Sequence, residues 1–277
     1  MKYVIVYSIG LLTFLISCKK DKTSGGNGKK IAAAVVNNIN NVFSYDAQGR
    51  LQRLDYGVSH YLLAEYKAAG IVLQWYDAAG NPMPTRRYEF NMLDGRIVSG
   101  KEKKPNDRMI NHSYGYDSEG RLAIHTAREV YEPTNEEGHR VTFSYNYTGN
   151  NVSTITYLHF DQGVRRDSAV ITQSYYTNKK LFTWHTVGFG FFGTVASGLP
   201  HQGLGIASPA VILPFQASYP SVNALKENTR DQYEWNTVQN KWVYKNTSSY
   251  TIPETGYEYD EAGNLSAFNG AEKIEWK

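Results

Sequence analysis

A single cysteine, Cys18, serves a chain of 277 residues. That scarcity excludes an internal disulfide, and leaves little scope for a thiol nucleophile or a zinc–thiolate site. Histidine motifs are missing as well. His60, His112, His125, His139, His159, His185 and His201 are spread singly, and none forms H-x-H, H-x-x-x-H or H-E-x-x-H. No metal is therefore expected from local spacing, because a site would have to be assembled from separate strands. The chain has no G-x-S-x-G elbow, no phosphate-binding glycine loop and no dinucleotide fingerprint, and "GFGFFG" (Gly188–Gly193) matches none of them. No cofactor, no catalytic residue and no enzymatic activity are expected.

Long apolar runs are scarce too. One, Tyr3 to Ser17, carries no charge and follows a lone Lys2. It is too short to span a bilayer as a permanent helix and suits the apolar middle of a secretory signal. The run ends "LISC", Leu15 to Cys18. This resembles the lipobox of bacterial lipoproteins, which implies cleavage before Cys18 and lipid on that cysteine. Several acyl chains would hold the protein on a membrane durably, where one chain binds only marginally. Residues 1–17 then read as the signal peptide. Residues 18–30, the lipidated cysteine and "KKDKTSGGNGKK", read as a flexible tether with no apolar surface to bury. Lys19 stands where an aspartate would mark inner-membrane retention, so an outer-membrane lipoprotein is expected, on the periplasmic face or at the cell surface.

The formal charge of +3 also belongs to this leader. Its six lysines and one aspartate leave 23 basic and 25 acidic residues for 31–277. Nothing basic enough to bind nucleic acid remains.

Amphipathic helical patterns are rare in 31–277, and period-two runs dominate. "VTFSYNY" puts Val141, Phe143, Tyr145 and Tyr147 on one face, "KWVYKN" pairs Trp242 with Tyr244, and "KIEW" pairs Ile274 with Trp276. β-Branched and aromatic residues at alternate positions predict half-buried strands. Between them recurs one phrase: "YDAQGRL" at Tyr45, "YDAAGNP" at Tyr76, "YDSEGRL" at Tyr116 and "YDEAGNL" at Tyr259. Asp46, Asp77, Asp117 and Asp260 open type I turns, and Gly49, Gly80, Gly120 and Gly263 take the positive φ that follows. Pro82 predicts an edge strand or a late start for the strand after the second copy. Looser copies at Phe90–Ile97, Tyr145–Val152, Tyr176–Leu181 and Trp235–Trp242 predict further hairpins.

The phrase resembles the YD repeat of Rhs and teneurin-type proteins, at about seven residues per copy and with irregular spacing. With the lipobox and the tether, the chain resembles Bacteroidetes lipoproteins of unknown function, in particular the DUF4595 family. "FGTVASGLP" (Phe192–Pro200) is loosely similar to a G-x-x-S-x-N-L-P stretch of that family, with Gly198 where asparagine is expected. The resemblance implies a porin-like fold and no activity. The expected class is all-β: a single domain over 31–277, an antiparallel up-and-down meander curled into a soluble barrel or a strongly twisted sheet. About 12 to 16 strands fit its length. Adjacent Arg128 and Glu129 in "LAIHTAREVY" put charge on both faces of one strand, which argues against a lipid-facing wall.

One stretch breaks the rhythm. Leu181 to Leu225 has no charged residue, six glycines and four of the nine prolines. It reads as a long apolar loop insertion that plugs or covers the sheet, or as a surface for a ligand. The function expected is a non-enzymatic binding or scaffold module whose partner is the membrane through Cys18 and a glycan or another envelope protein. Aromatic side chains that could stack on sugar rings are Trp184, Phe189, Phe191, Phe192, Trp75, Trp235 and Trp242. The alternatives are a glycan hydrolase built on a carboxylate pair, and a purely structural spacer.

Overall fold

The computed structural model describes residues 31–36, 38–132, 134–180, 223–268 and 272–277. The signal, Cys18, the tether, and Trp184, Phe189, Phe191 and Phe192 lie outside these described residues. So does most of the uncharged stretch, but its last three residues, Asn223 to Leu225, already form a strand, with Ala224 and Leu225 buried.

Among the described residues seventeen strands follow one another, one more than the range expected from length. They are β1 (Ile31–Val36), β2 (Ile39–Tyr45), β3 (Leu51–Tyr56), β4 (His60–Lys67), β5 (Gly70–Asp77) and β6 (Pro82–Leu93). Then come β7 (Arg96–Lys103), β8 (Arg108–Tyr116), β9 (Leu122–Tyr131), β10 (Glu136–Thr148), β11 (Asn151–Asp161) and β12 (Val164–Lys180). The last are β13 (Asn223–Asn236), β14 (Lys241–Thr251), β15 (Tyr257–Tyr259), β16 (Leu265–Phe268) and β17 (Glu272–Trp276). β1 to β13 each pair antiparallel with the next, β15 and β16 do the same, and β17 pairs with β1. The sheet thus runs β15–β16–β17–β1 and on to β14. No ladder joins β14 to β15 among the described residues, so the sheet is not closed, which is consistent with a strongly twisted or barrel-like meander. The excess over the expected count comes from β15 to β17, at three, four and five residues shorter than typical strands.

The strand order follows from the turns. In all four copies of the phrase the glycine N–H donates to the aspartate carbonyl at 2.9–3.0 Å. The residue after the glycine then donates its N–H to the aspartate Oδ1 at 2.8 Å. Its side chain, Arg50, Asn81, Arg121 or Asn264, donates to Oδ2 at 2.7–2.9 Å. Gly49, Gly80, Gly120 and Gly263 have φ between +78° and +86°, a conformation costly for a residue with a Cβ. Among the looser copies, Asp94-Gly95 turns the β6–β7 hairpin with both φ positive, and Asn240 (φ +48°) takes the glycine's place between β13 and β14. Tyr176–Leu181 is not a turn, because β12 runs on through Lys180. Pro82 neither delays its strand nor lies on an edge strand. It opens β6 opposite Tyr76, and β7 pairs with β6 only from Tyr88 onward, so the proline interrupts no ladder on that side.

Antiparallel alternation gives the sheet two ends. The lower end holds the connections after the even-numbered strands β2 to β10, together with the β15–β16 turn. The upper end holds those after β1, β3 and every odd-numbered strand to β13. At the lower end, five side chains each cap a carbonyl at the start of the preceding strand. Tyr45, Tyr66, Tyr116 and Tyr147 hydroxyls donate to the carbonyls of Ile31, Leu51, Ile97 and Leu122, and Trp276 Nε1 to that of Leu265, at 2.6–3.0 Å. These bonds satisfy backbone acceptors at strand starts. Burial pushes the Tyr116 phenol up to about 12, so it stays a donor at neutral pH.

The inner face is a continuous apolar core that includes Phe43, Leu54, Leu62, Leu73, Phe90, Ile110, Phe143, Ile155 and Ile171. Phe90 lies over Gly100, where a Cβ would stand 2.3 Å from the ring.

Candidate functional site

Two groups of side chains at the upper end stand out, one on each face. On the outer face a row crosses β9 to β14. Arg128 pairs in register with Arg140, Arg140 with Phe160, and Phe160 with Arg165. Trp235 pairs with Trp242, and Tyr233 with Tyr244, across the β13–β14 hairpin. The Arg140 guanidinium sits 4.4 Å from the Phe160 ring centre, and that of Arg165 sits 4.6 Å from Trp235. Each such contact is worth about 0.5–1 kcal/mol at an exposed site. Trp235 and Trp242 meet edge to face at 5.0 Å, and Tyr233 and Tyr244 at 5.9 Å. Glu137 neutralises Arg128 at 2.6 Å and reaches Arg140 at 3.5 Å, whereas exposed Arg165 makes no ion pair with a described residue. Tyr244 keeps 56% of its surface exposed. The row offers flat apolar rings flanked by a guanidinium that has no ion pair among the described residues.

On the inner face lies a buried titratable patch. Glu102 (0% exposed) on β7 and Glu129 (1%) on β9 both pair in register with Ile110 of β8. Each has its own cation: Lys104 on Glu102, and Arg108 Nη1 on Glu129 Oε1 at 3.0 Å. His112 Nε2 faces Glu102 Oε2 at 3.7 Å, and its Nδ1 lies 3.1 Å from His125 Nε2. A lone pair on His112 Nε2 would face the carboxylate, so electrostatics assigns the proton there. His125 Nε2–H then donates to His112 Nδ1. His125 is sandwiched between Tyr114 at 4.6 Å and Phe143 at 5.7 Å. Burial, and then the neighbouring His112, hold the His125 imidazole well below the usual histidine range.

Trp235 and Trp242, singled out from sequence, are brought together. Trp75 is not with them. It is buried, edge-on to Tyr56 at 6.3 Å and to His60 at 5.4 Å, and belongs to the core. Sequence reading missed Arg140, Phe160, Arg165, Tyr233 and Tyr244. A signal existed: Tyr233/Trp235 and Trp242/Tyr244 alternate on either side of one turn, so pairing must align them. Glu102 also alternates with Lys101 and Lys103, which marks it as facing the other way. The four turn aspartates belong to neither group.

No protein-family model and no curated protein matches the chain in sequence. Solved structures do resemble it. A porin-like protein from Bacteroides vulgatus aligns over 89% of this chain and 96% of its own, with a TM-score of 0.58 and 10% identity. A porin-like protein from Bacteroides uniformis aligns over 90% and 94%, with a TM-score of 0.52 and 13% identity. The class is therefore an all-β antiparallel meander of porin-like fold. At these identities the likeness is one of fold alone.

Proposed function

We propose that the protein is a lipid-anchored envelope lipoprotein, akin to the DUF4595 family, that works as a non-enzymatic glycan-binding module. The observation that carries this reading is the outer row of Trp235, Trp242, Tyr233 and Tyr244 beside Arg165. Sugar rings present apolar faces that stack on such rings, and a rigid strand pair holds the platform without an ordering cost. Anchoring rests on the sequence up to Cys18. A protein held by lipid, not one that spans the bilayer, agrees with the ion pairs Arg53–Asp55 and Arg87–Glu89 on the outer face, where lipid would tolerate no charge. The binding reading is favoured over a carboxylate-dependent hydrolase because Glu102 and Glu129 each engage a cation and do not flank an open cleft.

The test is a glycan array probed with the full chain and with a Trp235→Ala/Trp242→Ala variant. Binding by the parent that drops at least about tenfold in the variant, a loss of about 1.4 kcal/mol, supports the reading. Silence on the array, or binding indifferent to both tryptophans, overturns it.

A further inference from the structure

Arginines stacked on aromatic rings recur across this sheet, and most of them hold two partners. Arg50 over Tyr66, Arg53 over Tyr61, Arg121 over Tyr147 and Arg140 over Phe160 bring the guanidinium carbon within 3.9–4.4 Å of the ring centre. Each also pairs with a carboxylate, that of Asp46, Asp55, Asp117 or Glu137, at 2.5–3.5 Å. A planar guanidinium can do both at once, with its face on the ring and its N–H edge on the carboxylate. Arg96 stands further off, 5.5 Å from the Tyr116 ring and against Gly120. Arg165 lies 4.6 Å over Trp235 and has the ring, but no carboxylate among the described residues.

The acids nearest to it are engaged elsewhere. A bulge at Arg166 separates the pair His159/Asp167 from the pair Phe160/Arg165, so Arg165 turns to the outer face and Asp167 to the inner one. There Asp167 Oδ2 lies 2.7 Å from His159 Nδ1, and His159 Nε2 meets His139 Nδ1 at 3.3 Å. Asp161 Oδ2 accepts from Arg166 Nη2 at 2.9 Å. Glu234 precedes Trp235 on β13 and so faces the other way, 3.5 Å from Lys245 Nζ. The exposed Arg165 edge is thus left to a group from outside the chain.

Arg165, Trp235 and Trp242 stand on three neighbouring strands, β12, β13 and β14, so the row crosses about 10 Å. With Arg165 over Trp235, the rings open to a ligand are half-buried Trp242 and exposed Tyr244. A sugar seated on them brings its own substituents, or those of the next sugar, to the Arg165 edge. We propose that the row, on the glycan-binding reading given above, selects acidic glycans: oligosaccharides of uronic acids. Their carboxylate takes the place at Arg165 that aspartate or glutamate takes at the other four arginines. A neutral hydroxyl cannot substitute, because only a carboxylate accepts two parallel N–H bonds and carries the opposite charge.

Calorimetry on the full chain compares oligomers of galacturonic, glucuronic and mannuronic acid with their methyl esters, which keep the rings and remove the charge. At least one acid should bind about tenfold tighter than its ester, the difference between a charged and a neutral hydrogen-bond partner. Arg165→Gln should bring acid and ester within about twofold, with sheet content by circular dichroism unchanged. Arg165→Lys, a point charge without the fork, should keep only part of the preference. Trp242→Ala should weaken acid and ester alike. Equal binding of acid and ester, a preference that survives Arg165→Gln, or failure to bind any uronate overturns the proposal. Should neutral glycans on the array still lose binding in the Trp235→Ala/Trp242→Ala variant, the glycan-binding reading stands without it.

Discussion

The two ends of the meander solve opposite problems with different residues. At the lower end, polar side chains satisfy backbone. The turn carboxylates of Asp46, Asp117 and Asp260 accept from the N–H four residues on, Asp117 also from the one two residues on, and tyrosine hydroxyls cap strand-start carbonyls. At the upper end, polar side chains pair with one another: Glu102 with Lys104, Glu129 with Arg108, His112 with His125. Local backbone bonds tolerate the loss of one member, because water reaches the turn. A buried charge network does not, because each member compensates another that water cannot reach.

Mutations that strip one partner from each end should show this contrast. Lys104→Met leaves the Glu102 carboxylate buried without its cation. Urea denaturation should register a loss of about 3–5 kcal/mol, the largest effect of the set. A loss below 1 kcal/mol would dissolve the difference between the ends.

His125 sharpens the same point through pH. Its imidazole is depressed in the folded protein, so below the ordinary histidine value of 6.5 the unfolded chain binds the extra proton. The stability it confers is fully present above that value. It should fall by about 1.4 kcal/mol per pH unit as pH drops below it, until the depressed folded pKa is reached. His125→Phe keeps the stack between Tyr114 and Phe143 and should flatten the denaturation midpoint between neutral and mildly acid pH.

The lower end should respond less. Gly120→Ala forces a Cβ into φ +78°, for a cost of about 1–2 kcal/mol in thermal or urea unfolding. Tyr147→Phe removes the 2.6 Å hydrogen bond to Leu122 O but keeps the ring under Arg121, for about 1 kcal/mol. Smallest is Asp77→Asn, in the copy of the turn that lies at the upper end, between β5 and β6. Hydrogen bonds from the Asn81 side chain and backbone lower the Asp77 carboxyl below 3.8 in the folded state. Its contribution is present above that value and lost as pH falls through the folded pKa. The variant should therefore differ from the parent in acid stability and scarcely at neutral pH.

Much of the lower end is visible in the chain itself. Asp and Gly at a fixed spacing bring the donors and acceptor of a turn together with no help from elsewhere, so "YDSEGRL" predicts the bonds that Asp117 makes. Val141, Phe143 and Tyr145 are buried together, as alternation demands. The same local logic failed at Tyr176–Leu181, where no glycine or asparagine takes the positive φ and β12 continues. The upper end was hidden. Glu102, His112, His125 and Glu129 lie on three strands, and no spacing along the chain links residues that meet only through register.

By itself the sequence determined where the chain reverses and which side chains alternate, because turn chemistry and the pleat act over a few residues. Tertiary structure alone decided which strand begins and ends the sheet, with β17 returning to β1. It also decided that Trp75 is core while Trp235 and Trp242 face outward, and that four histidines gather in pairs. Those outcomes depend on twist and register summed across seventeen strands, a distance no local rule spans.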